Sequence, residues 1–231
     1  RYPEEGYSFL TVEQRGAEAV RFFPKKDDYV PIGNAYERFK DSEKDIEAWI
    51  KFVEDLGYDN IILQAHSLGS AKAASYLAGK DHQVDAAILM SPPDMYGSAS
   101  AEEDYRDKKK RAEKIVEAGK EDKIIDKSFM GWAYLSAGTF LDLLGKDTKA
   151  DVFSFTNQSL QRWSSLDLPV LVTYGSDDTA MTIESEEAVE MLEGNYSGKR
   201  FESRIFGGCR HDYSGFEDTL IDSAVDFIEK S

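Results

Sequence analysis

Hydrophobic and polar positions along this chain follow two periods in turn. Short apolar runs at residues 7–12, 60–64, 86–90, 170–174 and 200–206 read as strands. The third and fourth, AAILM and VLVTY, are almost continuously apolar, as expected where both faces of a parallel sheet are covered. The last run sets Phe201 and Ile205 against Glu202 and Arg204, an alternation that places it near a sheet edge. Residues 41–56 carry the helical period instead. Ile46, Trp49, Ile50 and Val53 fall at i, i+3, i+4 and i+7 and predict one buried stripe. Ser42 with Asp45 resembles a capping box, and Gly57 is placed to end the helix. Leu220, Ile221, Ala224, Val225 and Ile228 share a face and predict a final helix packed on the sheet. Strands alternating with helices predict an α/β fold: a mostly parallel central sheet flanked by helices.

The stretch between Met90 and Val170 is far longer than the ~10–20 residues of an ordinary crossover. Within it, residues 101–118 read as a charged helix, 128–144 as a more apolar one and 157–164 as a short third. The expected organisation is a core formed by residues 1–96 and 166–231, with residues 97–165 inserted as a helical cap over the carboxyl ends of the strands. No internal repeat or low-complexity tract interrupts this pattern.

Charge narrows the partners. With 44 acidic residues against 28 basic ones, the net charge of −16 repels phosphate backbones, and no basic cluster is interleaved with aromatics, so nucleic acid is not expected as a partner. No apolar run approaches the ~20 residues that would span a bilayer, so no transmembrane segment is expected, and no leader pattern is present. A single cysteine, Cys209, excludes an internal disulfide and suits a reducing, cytoplasmic setting. The first residue is Arg1 rather than Met, which suggests a trimmed start.

Chemistry concentrates in IILQAHSLGSAKAASYL. An apolar strand ends, Ala65-His66-Ser67-Leu68-Gly69 follows, and a helix rich in small residues begins. A serine at such a sharp turn is backbone-strained, and the residues two before and two after must be small to avoid collision. Ala65 and Gly69 meet that need, with Ala65 in place of the commoner glycine. A simple tight turn would also want small residues, but would not need serine at its apex. His66 neighbours Ser67 yet points elsewhere, and reads as a packed residue shaping the turn.

A serine hydroxyl becomes a useful nucleophile only when a histidine takes its proton, and that histidine needs a carboxylate to fix its tautomer. His82 lies in a polar turn at the amino ends of the strands, away from Ser67. His211 leaves the last strand at its carboxyl end, in Gly207-Gly208-Cys209-Arg210-His211, and is the expected base. For the acid, Gly175-Ser176-Asp177-Asp178 follows VLVTY. Gly-x-x-Asp spacing favours Asp178 over Asp177, which would brace the turn. Asp94, after the preceding strand, is an alternative acid or a helix cap.

With these residues in place the chain resembles the α/β-hydrolase superfamily, particularly capped serine hydrolases such as esterases, lipases and acyl-peptide-processing enzymes. FLTVEQRG, LQAHSLGSAKA, ILMSPPD, LPVLVTYGSDD and GGCRH carry the resemblance across nearly the whole sequence. It implies the fold, hydrolysis of an ester (or an amide or thioester) in a small-molecule acyl substrate, and the Ser67…Asp178…His211 order. It also implies a backbone oxyanion donor at Leu68. A second donor would come from a loop preceding residues 7–12, a segment expected to be missing here. Phe129, Trp132, Tyr134 and Phe140 would line an apolar substrate pocket, or would pack the cap onto the core. No cofactor and no metal is needed. An acyltransferase or cyclase using the same residues, and a non-catalytic ligand-binding protein of the same fold, are the competing readings. The oligomeric state is not specified.

Overall fold

The computed structural model describes residues 1–79, 81–125, 128, 129, 131 and 133–230. Its elements begin with β1 (Arg21–Lys25), β2 (Asp28–Ile32), α1 (Ser42–Asp55), β3 (Ile62–His66), α2 (Leu68–Gly79) and β4 (Ala86–Met90). They continue with α3 (Met95–Ser100), α4 (Tyr105–Glu117), α5 (Ala137–Leu144), α6 (Gln161–Ser164), β5 (Pro169–Gly175), α7 (Ser185–Gly194), β6 (Arg200–Phe206) and α8 (Glu217–Ile228).

Two compact units divide the chain. The first comprises Arg1–Val12, Glu47–Asp94 and Val152–Ser231, and the second Glu13–Ile46 and Met95–Asp151. In the first unit, four strands pair in parallel in the order β3-β4-β5-β6, so the alternating strand β6 does sit at an edge. Ala86, Ala87, Ile88, Leu89, Val170, Leu171 and Val172 are all buried, which accounts for the unbroken apolar runs. On one face, Ala86, Ile88 and Leu171 pack with Ala224 and Phe227 of α8 and with Tyr2. Trp163 is fully buried beside Phe153 and Tyr196, and its indole N–H donates to the Leu192 carbonyl at 2.8 Å, so the buried ring leaves no orphan donor. This is an α/β fold built on a mostly parallel sheet flanked by helices.

The second unit has its own apolar cluster, with Tyr105, Ala112, Ile125, Phe129, Leu135, Phe140 and Leu144 at its centre. Ser136 caps α5 by accepting from Thr139 N–H, and the Arg38 guanidinium donates to the hydroxyls of both residues. Arg15 makes a bidentate pair with Asp45.

Several local expectations need correction. Residues 7–12 form no strand: Phe9, Leu10 and Val12 are exposed, and no described strand offers them a ladder. The strands that precede α1 are instead the antiparallel pair β1 and β2, with Lys26 at φ 50 in the connection. Pro24, Pro31 and an exposed surface hid that hairpin from a search for buried periodicity. The capping box does not form, because Ser42 Oγ donates to the Phe39 carbonyl while Asp45 is engaged by Arg15. Ile46 and Ile50 are buried as expected, but Trp49 is 36% exposed and meets Phe52 edge-on. The charged helix expected at 101–118 is present as α4 but starts only at Tyr105, and the third helix, expected at 157–164, shrinks to α6. The apolar helix expected over 128–144 starts only at Ala137. Before it, Phe129 bridges Ala133 across a turn in which Gly131 takes φ 77.

Leu171 sits at the centre of the sheet with no exposed surface. Leu171→Ala is expected to cost about 2–5 kcal/mol through lost burial and the cavity left behind, read as a lower urea midpoint at unchanged slope.

Candidate active site

The register of the parallel strands brings their carboxyl ends to one edge. His66 pairs with Met90, Met90 with Thr173, and Gly175 with Phe206. Backbone bonds then carry the ladder one step further into the loops: Ser67 N–H donates to the Met90 carbonyl (2.8 Å), Ser91 N–H to Thr173 (2.8 Å) and Ser176 N–H to Phe206 (3.0 Å). Each residue singled out after a strand end therefore emerges on the same side.

Ser67 stands between β3 and α2 with φ 53, a left-handed conformation that a side-chain-bearing residue adopts only when its surroundings enforce it. The surroundings are visible. Ser70 Oγ donates to the Ala65 and Met90 carbonyls at 3.0 Å each, tying the first turn of α2 back to both strands. A Cβ built on Gly69 would lie 3.8 Å from the Ala65 Cβ, so the two small residues face each other across the turn with ordinary van der Waals room for one more methyl. Leu68 opens α2, where backbone N–H groups have no partner within the helix.

The two loops opposite are stitched together. Asp177 N–H donates to the Cys209 carbonyl (2.9 Å), and Gly208 N–H to Ser176 Oγ (2.8 Å). Any Cβ at Gly175 would lie 2.1 Å from the Cys209 carbonyl oxygen, so only glycine permits this approach. The result is a continuous relay. His211 Nε2 lies 2.9 Å from Ser67 Oγ, and His211 Nδ1 lies 3.0 Å from both oxygens of Asp178. A carboxylate can only accept, so Nδ1 carries the proton and Nε2 is left to accept from the serine.

Between the two adjacent aspartates the geometry is unequal. Asp178 is buried and also receives the Ala180 N–H at 3.0 Å, whereas Asp177 is exposed and accepts from Ser176 Oγ. Burial alone would push the Asp178 carboxyl up. Bonds from His211, the Ser91 hydroxyl and Ala180 N–H outweigh it and hold the group below the usual carboxylate range. Asp94 is fully buried and accepts the Thr156 N–H at 2.8 Å. His82 lies just before β4, at the amino ends of the strands, with Nδ1 accepting from Val84 N–H.

Two residues at this edge escaped the sequence reading. Ser91, buried with φ 45, occupies on β4 the position Ser67 occupies on β3, and asking what leaves every strand end would have found it. Tyr213, at φ 57, donates to the Thr173 carbonyl (2.9 Å) and lies 3.2 Å from Ser91 Oγ, with its hydroxyl pushed up to about 12 by burial. Of the aromatics between β4 and β5, Phe129 and Phe140 are buried in the core of the second unit, Tyr134 is 56% exposed, and Trp132 lies outside the described residues. Among the described residues no helix is long and apolar enough to cross a membrane. Nor does any group of three or more His, Cys, Asp or Glu side chains among them suit a metal ion.

Because Asp178 is held below its ordinary range, its ionised form stabilises the fold above about pH 4, and that contribution disappears as pH falls through the lowered value. Thermal melts of the parent and of Asp178→Asn should therefore differ most above about pH 4 and converge in stronger acid.

Comparison with known proteins supports the architecture. Residues 32–225 match the model of a family described as protein of unknown function (DUF1749). No curated protein matches the chain. Among solved structures, a monoacylglycerol lipase from Paleococcus ferrophilus is similar at 15% identity and TM-score 0.56, over 84% of this chain and 77% of the other. Est1E from Butyrivibrio proteoclasticus is similar at 16% identity and TM-score 0.53, over 84% and 71%. A soluble variant of the monoglyceride lipase from Saccharomyces cerevisiae follows at 17% and 0.52, over 83% and 67%. At these identities the shared property is the fold, and the family match covers most of the sequence. The chain belongs to the DUF1749 family and has the α/β-hydrolase fold.

Proposed function

We propose that this protein is a serine hydrolase that cleaves an ester in a small acyl substrate, with Ser67 as nucleophile, His211 as general base and Asp178 as the acid that orients it. The observation that carries the reading is the unbroken relay from Asp178 through His211 to Ser67, at 3.0 and 2.9 Å. The names of the solved structures that share the fold, two of them lipases, point the same way.

In this mechanism the Ser67 hydroxyl proton passes to His211 Nε2 as a bond forms between Oγ and the substrate carbonyl carbon. Negative charge on the carbonyl oxygen is taken up by the Leu68 N–H at the start of α2, where the helix end favours an anion. The carbon–oxygen bond to the leaving group then breaks, and His211 returns its proton to that oxygen, releasing the alcohol. Water completes the cycle. It loses a proton to His211 and attacks the acyl carbon, and Ser67 departs with the proton restored as the acid is released. Asp178 stays ionised throughout and stabilises the imidazolium each time it forms.

Fluorophosphonate probes should label the protein at Ser67, and Ser67→Ala should abolish that labelling. Absence of labelling in folded protein would refute the reading. On chromogenic esters of graded acyl length, Ser67→Ala or His211→Ala should lower kcat on the order of 10⁶-fold and Asp178→Asn about 10⁴-fold. Asp177→Asn should leave kcat within about threefold of the parent, since Asp177 has no bond to His211 in the relay.

A further inference from the structure

His66 stands beside the nucleophile but outside the relay. Its Nε2 lies 2.7 Å from the backbone carbonyl oxygen of His211. A carbonyl oxygen cannot donate, so this nitrogen carries the proton and gives it to the bond. Its ring lies 4.8 Å from the ring of His211 and meets Tyr213 edge-on at 5.8 Å. His66 is thus covalently next to Ser67 and hydrogen-bonded to the main chain of the residue that receives the serine proton. These connections close a small ring: Ser67 Oγ to the His211 imidazole, along that residue to its own carbonyl, across to His66, and back through one peptide bond to Ser67.

We propose, resting on the serine-hydrolase reading, that His66 is a positioning residue whose Nε2–H fixes the backbone of His211 and so sets the distance between imidazole and serine. The ring it closes includes only neighbours of the reacting atoms, so the spacing does not depend on the stiffness of the long chain between residues 67 and 211. A rigid ring with two side-chain torsions suits the task, because little rotamer freedom is lost in holding the donor in place. His66 keeps exposed surface rather than being packed away, yet partial desolvation of its ring, together with the facing His211 ring, lowers its pKa against the opposing pull of the His211 carbonyl, Asp178 and Asp212. A neutral ring there adds no positive charge beside the imidazolium that forms on His211. With its proton-bearing nitrogen committed to a carbonyl, His66 is not placed to accept the serine proton.

The experiment compares the parent with His66→Phe, His66→Gln and His66→Asn, measuring fluorophosphonate labelling rate, kcat and KM on a chromogenic ester, and thermal stability. Glutamine can reach the carbonyl with its terminal amide, whereas the shorter asparagine amide ends near the Nδ1 position and cannot. Loss of about 1 Å in placement can cost about 10²-fold in rate. His66→Phe and His66→Asn should therefore lose about 10–10²-fold in kcat with KM changed by no more than about twofold, and His66→Gln should recover to within about fivefold of the parent. If folded His66→Phe and His66→Asn react like the parent, or if His66→Gln is as slow as both, the positioning role is overturned. If His211→Ala still labels while every His66 variant does not, His66 is the base and the proposal fails. A parent that does not label at all rejects the underlying hydrolase reading, a result separable from the others because it appears before any substitution is made.

Discussion

Everything at the candidate site depends on parallel strands ending level with one another. In a parallel ladder each connection must return across the sheet, so successive carboxyl ends point the same way, and the segments that leave them meet at one edge. Here the edge is formed by His66, Met90, Gly175 and Phe206. A shift in register between β5 and β6 would separate the loop carrying Asp178 from the loop carrying His211, even with every side chain retained. The bond from Asp177 N–H to the Cys209 carbonyl and the close approach at Gly175 lock that register where it matters.

The same edge concentrates backbone strain. Ser67, Ser91 and Tyr213 all take left-handed φ values, each costing on the order of 1–3 kcal/mol for a residue with a side chain. All three are anchored by hydrogen bonds to neighbouring strands: Ser67 N–H to Met90, Ser91 N–H to Thr173, and the Tyr213 hydroxyl to the Thr173 carbonyl. Strain and restraint therefore coincide, as they must for a conformation that the surroundings impose. Asp178 shows the electrostatic counterpart. A carboxylate without exposed side-chain surface is costly unless donors replace its water. His211, Ala180 N–H and Ser91 do so here, which keeps it charged.

Some of this was legible in the residues. The turn at Ser67 announces itself because strain, small neighbours and a helix start leave a local signature within a few positions. His211 was separable from His82 by topology alone, because one follows a strand and the other precedes one. Asp178 was favoured over Asp177 only by spacing, and the distinction between them is one of burial and bonding that adjacent identical residues cannot display. The hairpin β1–β2 was invisible for the opposite reason: its strands are exposed and contain prolines, so no buried periodicity marks them. Residues 7–12 had a strand-like pattern without a partner, and a strand is a property of a pair.

The amino-acid sequence by itself determined the α/β architecture, the placing of Ser67, Asp178 and His211 after strand ends, and the strained turn, because each is written in local periodicity or in which strand end a residue follows. Only the tertiary structure decided the partners: His66 bonded to the His211 carbonyl, Ser91 and Tyr213 gathered behind Asp178, and residues 13–46 grouped in one unit with residues 95–151. The physical reason is range. Backbone propensities act over a few residues, while a hydrogen bond between residues 66 and 211 exists only once the sheet has brought two distant ends of the chain together.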